Sequence, residues 1–259
     1  MKKDKSIVVA NWKMNPQSFK EAKILFSGIK SVASKLVNIQ TVICPPSVYL
    51  NEISKMYSGH RIAFGGQDCF WEEKGSFTGE VSSGMLKSSG ANYVILGHSE
   101  RRALGETDEQ ISKKVRSALD NKLKVVLCIG EKERDEDGNY LDFLKNEIEA
   151  SLSLVSKNGL SNLIIAYEPI WAVGNKSYET ATPNDIHEIT IFIKKVLSDI
   201  YGRKDAVSVK VVYGGSANYE NVYEIMVGGN VDGILVGRES LNAESFNKII
   251  SVVNNINFE

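Results

Sequence analysis

The sequence predicts an α/β fold, a closed (β/α)8 barrel of eight parallel strands with outer helices. Three observations predict it. Short runs rich in β-branched residues recur at intervals of about 30 residues. Each is followed by a stretch whose apolar positions have helical spacing. No Pro/Ser-rich linker, low-complexity segment or composition shift interrupts the series, so a single barrel domain over residues 1–259 is expected. Strands alternating with helices imply parallel pairing, with the helices covering the sheet. A doubly wound open sheet is the structural competitor, and the lack of G-x-G-x-x-G after the first strand counts against it.

In chain order the strands read SIVVANW, QTVICPP, RIAFGG, NYVILGH, KVVLCIG, LIIAYE, VKVVYGG and VDGILVG. Between them, SFKEAKILFSGIKSVASKL, DEQISKKVRSALDN, YLDFLKNEIEASLSLVSKN and PNDIHEITIFIKKVLSDIYG read as helices. The last carries signals at both ends: Thr182 as cap with Pro183 just inside, and Gly202 as terminator.

Lys plus Arg number 31 and Asp plus Glu 32, a formal net charge of −1. That balance lacks the broad basic field of non-specific nucleic-acid binding, so no nucleic-acid partner is expected. With 42% hydrophobic residues the chain is long enough to bury a large core. The N-terminal apolar run, IVVA, is too short for a signal-peptide core, and no segment approaches the roughly 18 apolar residues of a membrane span. A soluble, cytoplasmic protein with no membrane partner is expected. Cys44, Cys69 and Cys128 are widely spaced without C-x-x-C, and read as reduced thiols packed in the interior. His60, His98 and His187 form no metal-ligand pattern, so neither a metal nor a cofactor is expected.

In such a barrel, functional residues sit at the C-terminal strand ends and in the loops beyond them. Strand side chains alternate, so Ile7, Val9, Asn11 and Lys13 share one face; if it points inward, Asn11 and Lys13 emerge at the mouth. Lys13 reads as an anion partner or as a solvated lysine opening a loop. Val94, Leu96, His98 and Glu100 likewise share parity. His98 reads as catalytic or as a satisfied structural histidine, and Ser99 as a helix cap. A nearby helix start favours a neutral imidazole that donates a hydrogen bond. Ile164, Ala166 and Glu168 share a face, so Glu168 also reaches the mouth; its alternative is an ion pair with Lys13 or an arginine. Pro169 stiffens the exit, Gly174 can pivot or offer its N–H, and the apolar Ile170, Trp171 and Val173 suit a lid. Y213-G214-G215-S216 and G237-R238-E239-S240, with a helix start after the eighth strand, suggest a phosphate cradle. Together these groups suit proton abstraction beside a carbonyl on a small phosphorylated substrate, with no cofactor.

In this order and spacing, "ANWKMN", "GQDCF…GSFTGEVS", "LGHSERR", "CIGE", "AYEPIWAVG", "YGGSA" and "DGILVGRESL" resemble the triosephosphate isomerase family over nearly the whole chain. The resemblance implies the TIM barrel and interconversion of dihydroxyacetone phosphate with D-glyceraldehyde 3-phosphate through an enediol(ate). It implies Glu168 as base, His98 as electrophile, Lys13 as positive charge, Asn11 as substrate-orienting group and Glu100 as supporting acid. It also implies phosphate binding by Gly174, Ser216 and Gly237, with Arg238 beside them. The loop over residues 67–82 resembles one that inserts into a second subunit of a homodimer, Thr78 at its tip and Glu80 supporting; Phe70, Trp71 and Phe77 would be covered by the partner.

Three departures from the family pattern stand out. The lid ending, G174-N175-K176-S177-Y178-E179-T180-A181, is two residues longer than the common G-T-G-K-T-A. Arg238 replaces a common glycine, and Asp68 a common asparagine. Two rival readings are a Schiff-base aldolase using Lys13 as nucleophile, and a non-catalytic sugar-phosphate-binding or interaction protein on the same barrel.

Overall fold

A computed structural model describes residues 5–172 and 181–256. Eight strands, β1 Ser6–Asn11, β2 Ile39–Cys44, β3 Ile62–Gly66, β4 Tyr93–Leu96, β5 Lys124–Ile129, β6 Leu163–Tyr167, β7 Lys210–Tyr213 and β8 Gly233–Val236, form a closed barrel in sequence order. Every pairing is parallel; β1 meets β2 from Ser6 opposite Ile39 to Asn11 opposite Cys44, and β8 closes on β1 with Gly233 opposite Ile7. All eight predicted strands are present with shifted ends: β2 starts one residue earlier, at Ile39, and the others lose one to three terminal residues, among them the apolar Trp12, Val209 and Val231.

The described helices are α1 Phe19–Ala33, α2 Ser47–Ser54, α3 Ser83–Ser88, α4 Ser99–Ala103, α5 Asp108–Asp120, α6 Asn139–Ser151, α7 Pro183–Tyr201, α8 Arg203–Ala206, α9 Val222–Gly228 and α10 Ala243–Asn255. The Ser18 hydroxyl caps α1, and capping boxes formed by Thr107 with Gln110 and by Thr182 with Asp185 open α5 and α7. Gly202, at φ 92°, ends α7 as expected. The sequence predicted a longer α6, running to Asn158. It stops at Ser151, and beyond that end the carbonyls of Leu152 and Val155 share the single proton of the Tyr201 hydroxyl, 3.2 Å from each.

Apolar side chains divide into two shells. Ile7, Val9, Val42, Cys44, Tyr93, Ile95, Val126, Cys128, Ile164, Ala166, Val212 and Leu235 fill the barrel. The opposite faces of the same strands, through residues such as Val8, Val94 and Leu96, pack against helix residues such as Phe26 of α1. Strands buried on both faces have to be apolar throughout, hence the continuous runs in the sequence. All three cysteines are buried and free. Among the described residues no helix is long and apolar enough to cross a membrane, and no cluster of three metal-ligating side chains occurs.

Candidate active site

At the end of β1 the inward face carries Ile7, Val9 and then Asn11, buried to 4% exposure. The Asn11 carboxamide oxygen accepts the Lys13 N–H at 3.0 Å. Lys13 holds a left-handed backbone, φ 53°, a conformation that costs a non-glycine residue about 1 kcal/mol and gathers at functional sites. Gln67 offsets that cost by donating its amide to the carbonyls of Lys13 at 2.9 Å and Cys44 at 2.8 Å. The lysine Nζ then reaches Glu100 Oε1 at 2.6 Å. Lys13 thus pairs with Glu100, and the alternative of a Lys13–Glu168 ion pair is not what forms.

Strand β4 corrects the parity reading. Tyr93 and Ile95 point into the barrel, whereas Val94 and Leu96 face the helices. Gly97, at φ 69°, reverses the alternation so that His98 still arrives at the mouth. The cap of α4 is also His98, not Ser99: its Nδ1 accepts the Glu100 N–H at 3.2 Å. A ring nitrogen that accepts carries no proton, so the ring proton sits on Nε2 and the imidazole is neutral. Nε2 faces Glu168 Oε1 at 3.4 Å.

Glu168 follows β6 on the inward face begun by Ile164 and Ala166, and is 3% exposed. Its Oε2 accepts the Ser99 N–H at 3.1 Å; Oε1 is buried without a hydrogen-bond partner. Two glycines make room for it. A Cβ on Gly214 would stand 2.7 Å from the Glu168 Cγ, and one on Gly130 only 1.8 Å from its carbonyl oxygen. Beneath it lies Cys128, whose thiol is pushed well above its ordinary pKa by burial and then by the adjacent Glu168 carboxylate. The thiol stays protonated and serves as packing.

On the opposite rim, Ser216 donates its hydroxyl to the Ala172 carbonyl at 3.5 Å. Gly237 adjoins Lys13: a Cβ there would lie 3.3 Å from the lysine Cε. The chain after β8 is a short 3-10 turn, Arg238–Leu241, and α10 starts only at Ala243, so the expected α-helix start is displaced. The Ser240 hydroxyl closes that turn on the Gly237 carbonyl at 2.6 Å. Arg238 stands at its first position, exposed. Gly174, Val173 and most of the expected lid ending lie outside the described residues.

Glu131, 1% exposed, was not singled out from the sequence. Its Oε1 accepts from the Tyr167 hydroxyl and Trp171 Nε1, both at 2.7 Å, and from Arg134 Nε at 3.1 Å. The guanidinium of Arg134 lies 5.2 Å from the Trp171 ring and 2.9 Å from Asp185, the residue that completes the α7 capping box. Ile170 and Trp171 are accordingly half-buried at the lid's start and not solvent-facing. The only local signal was a carboxylate directly after the glycine that ends "CIG".

A cleft of about 340 Å³ runs from Asn11, Lys13 and His98 towards Asp68 and Glu80 of the 67–82 loop. That loop is closed at its base by the Phe70 N–H donating to the Val81 carbonyl at 2.8 Å, and Phe70 stacks on Trp71 with ring centres 4.0 Å apart. Thr78 and Glu80 are exposed near its tip. The arrangement brings Asn11, Lys13, His98, Glu100 and Glu168 together from the ends of three strands. Asn11, Lys13, His98 and Glu100 line the cleft, and Glu168 stands behind them, its Oε1 3.4 Å from His98 Nε2, so a carboxylate, a neutral hydrogen-bond donor and a cation share one neighbourhood.

A family model described as triosephosphate isomerase matches residues 6–253. A triosephosphate isomerase of Thermoanaerobacter pseudethanolicus is 41% identical over 247 residues, covering 95% of this chain and 98% of the relative. Those of Alkaliphilus oremlandii and Geobacter metallireducens are 39% and 38% identical, each covering 95% of this chain and 99% and 97% of the relative.

Proposed function

This chain belongs to the triosephosphate isomerase family, and on that premise we infer that its barrel mouth interconverts dihydroxyacetone phosphate and D-glyceraldehyde 3-phosphate. The observation that carries this reading is the neutral His98 directed at Glu168, Nε2 to Oε1 at 3.4 Å. The reaction moves a proton between adjacent carbons and requires a base on the carbon and a donor on the oxygen. Glu168, through its unpartnered Oε1, removes the proton from C1. His98 Nε2–H donates to the carbonyl oxygen as charge develops there, and relays a proton between O2 and O1. Returning the first proton to C2 completes the aldose. Being neutral, the imidazole donates without placing a fixed cation beside the base. Lys13 supplies positive charge and Asn11 orients the substrate, while Glu100 holds Lys13 in place.

The phosphate is read onto the rim of Gly174, Ser216 and Gly237, with Arg238 flanking it. Because aldose and ketose are at the same oxidation level, these side chains suffice and no cofactor is called for. The Schiff-base rival is disfavoured by Lys13 being engaged by Glu100 at 2.6 Å, whereas a Schiff-base lysine is activated by a desolvating apolar pocket or a neighbouring cation. A coupled assay tests the whole reading: turnover in the parent, and its loss in Glu168→Ala with phosphate-ester binding retained. A parent that binds but does not turn over leaves the non-catalytic rival standing.

The same premise supports a homodimer through the 67–82 loop. Met14, 84% exposed, lines the cleft, and Val48 at 77% and Phe77 are further exposed apolar side chains. A second copy of Thr78 and its neighbours fits a cleft whose wall includes Asn11 and Lys13. Sedimentation velocity reads this directly: a two-chain species that Met14→Glu converts to monomers supports it, and a monomer in the parent ends it. Three free, buried cysteines fit residence in the reducing cytoplasm.

A further inference from the structure

Behind the barrel wall a buried ion pair ties the two reacting side chains together without touching the cavity. Arg102 of α4 donates Nε to the carbonyl of Gly97 at 2.8 Å, the residue whose left-handed turn presents His98. Its other end reaches the Cys128 carbonyl on β5 at 3.4 Å. Glu147 of α6, 5% exposed, faces Arg102 with Oε1 at 3.3 Å and accepts the Gly130 N–H on Oε2 at 2.8 Å. Gly130 in turn abuts the main chain of Glu168, leaving no room even for a Cβ. The Glu168 N–H is bonded to the Ile129 carbonyl at 2.8 Å, so the end of β5 carries the base directly.

Resting on the isomerase reading, we propose that Glu147 is a positioning residue for proton transfer: through Arg102 and Gly130 it fixes the spacing between His98 and Glu168. A neutral or apolar side chain would close the same gap between α6 and the barrel if packing were the only demand. A buried carboxylate that bonds one backbone N–H and faces one guanidinium instead locks two strand ends in a single mutual geometry. Removing it lets the ends of β4 and β5 shift independently.

The groups facing Glu147 are Arg102 from α4, Asp108 from α5, the Gly130 N–H at the end of β5, and the Glu168 charge beyond it. Asp108 also contacts Arg102, and receives the Ser151 hydroxyl at 3.3 Å. Burial raises the Glu147 carboxyl from 4.5 to about 7, Arg102 and the Gly130 N–H opposing, Asp108 and Glu168 adding. Its hold on Arg102 is therefore strongest above that pH and weakens as the carboxyl takes up a proton below it.

The experiment is steady-state kinetics in both directions for parent, Glu147→Gln and Arg102→Lys, from about pH 5.5 to 9, with circular dichroism to score folding. Expected for Glu147→Gln is a kcat loss on the order of tenfold to a hundredfold with KM within about twofold, as for a small misplacement of catalytic groups. The fall of the parent's kcat below about pH 7 should disappear in that variant. Arg102→Lys, which keeps the charge and loses the fork, should lower kcat in the same way. A folded Glu147→Gln with the parent's kcat and pH profile overturns the proposal. If that variant does not fold, a parent kcat with no limb near pH 7, or a folded Arg102→Lys with parental kcat, overturns it. An active parent with an indifferent Glu147→Gln strikes this inference alone; an inactive parent strikes the isomerase reading and this inference with it.

Discussion

Lys13 Nζ and Glu100 Oε1 stand 2.6 Å apart across the barrel mouth, joining two strand-end loops 87 residues apart in sequence. The pair is solvent-accessible, so its strength as a salt bridge is small, and its value lies in where it leaves the ammonium. Lys13→Met should lower kcat/KM by about two to three decades, the cost of one lost stabilising group on a developing anion. Glu100→Gln, which keeps a hydrogen-bond acceptor and loses only an exposed ion pair, should cost less than about fivefold. The coupled assay checks this ordering. Equal losses in the two variants would give Glu100 a direct part in the chemistry.

Glu168→Asp tests how tightly the base is placed. Shortening the side chain withdraws the carboxylate by one methylene from a position already bounded by Gly130 and Gly214, and the shorter side chain could not keep both the Ser99 N–H and the His98 contact. Turnover should fall by about two decades while KM changes far less, since substrate contacts elsewhere on the rim persist. Comparable turnover in the two proteins removes Glu168 from the role of base.

How much of this was legible in the sequence depended on whether strand alternation ran unbroken to the mouth. It did in β1 and β6: Ile7 and Val9 lead inward to Asn11, and Ile164 and Ala166 to Glu168. In β4 it did not, because Gly97 adopts a left-handed turn after Leu96, and parity reached His98 by counting along the wrong face. Glycine permits such a turn without requiring one, so no local pattern announces it. Glu131 was illegible for another reason: two of its donors, Tyr167 and Trp171, lie 36 and 40 residues away, and only barrel closure brings them together. The phosphate rim was read as an α-helix start, but Asn242 caps α10 one turn later than the strand end suggested, leaving a 3-10 turn between.

Asp68, where the family pattern leads one to expect asparagine, gives the protein a stability slope in mild acid. It sits in a buried network: Lys114 Nζ touches both its oxygens at 2.8 and 2.9 Å, Arg101 Nε lies at 2.9 Å, and Glu106 shares both cations. Burial raises its carboxyl from 3.8 to about 6, only partly offset by Lys114. Between those values the folded chain binds the proton that the unfolded chain has released. The resulting stabilisation is complete below about pH 4 and is lost as pH rises through about 6. Asp68→Asn should flatten this contribution, seen as a shallower decline of Tm across that window by differential scanning calorimetry. An unchanged slope would mean that Asp68 is ionised throughout.

Glu131 concentrates three donors on one buried oxygen, and two substitutions separate its charge from its acceptor role. In Glu131→Gln the amide oxygen can still take the Tyr167 hydroxyl and the Trp171 indole, and Arg134 keeps Asp185 at 2.9 Å. The expected cost is about 1 to 2 kcal/mol, the value of a charge-assisted bond reduced to a neutral one. In Glu131→Leu all three donors lose their acceptor and Arg134 loses its buried partner, so the cost should reach about 3 to 5 kcal/mol. For a chain of this size each kcal/mol corresponds to about 2 to 4 °C in Tm, which puts the second variant several degrees below the first. Trp171 fluorescence supplies an independent reading. With its indole N–H released, emission in Glu131→Leu should shift relative to the parent, whereas Glu131→Gln should stay near parental. Equal Tm values for the two variants would show that Glu131 acts by filling space, not as the acceptor on which Tyr167, Trp171 and Arg134 converge.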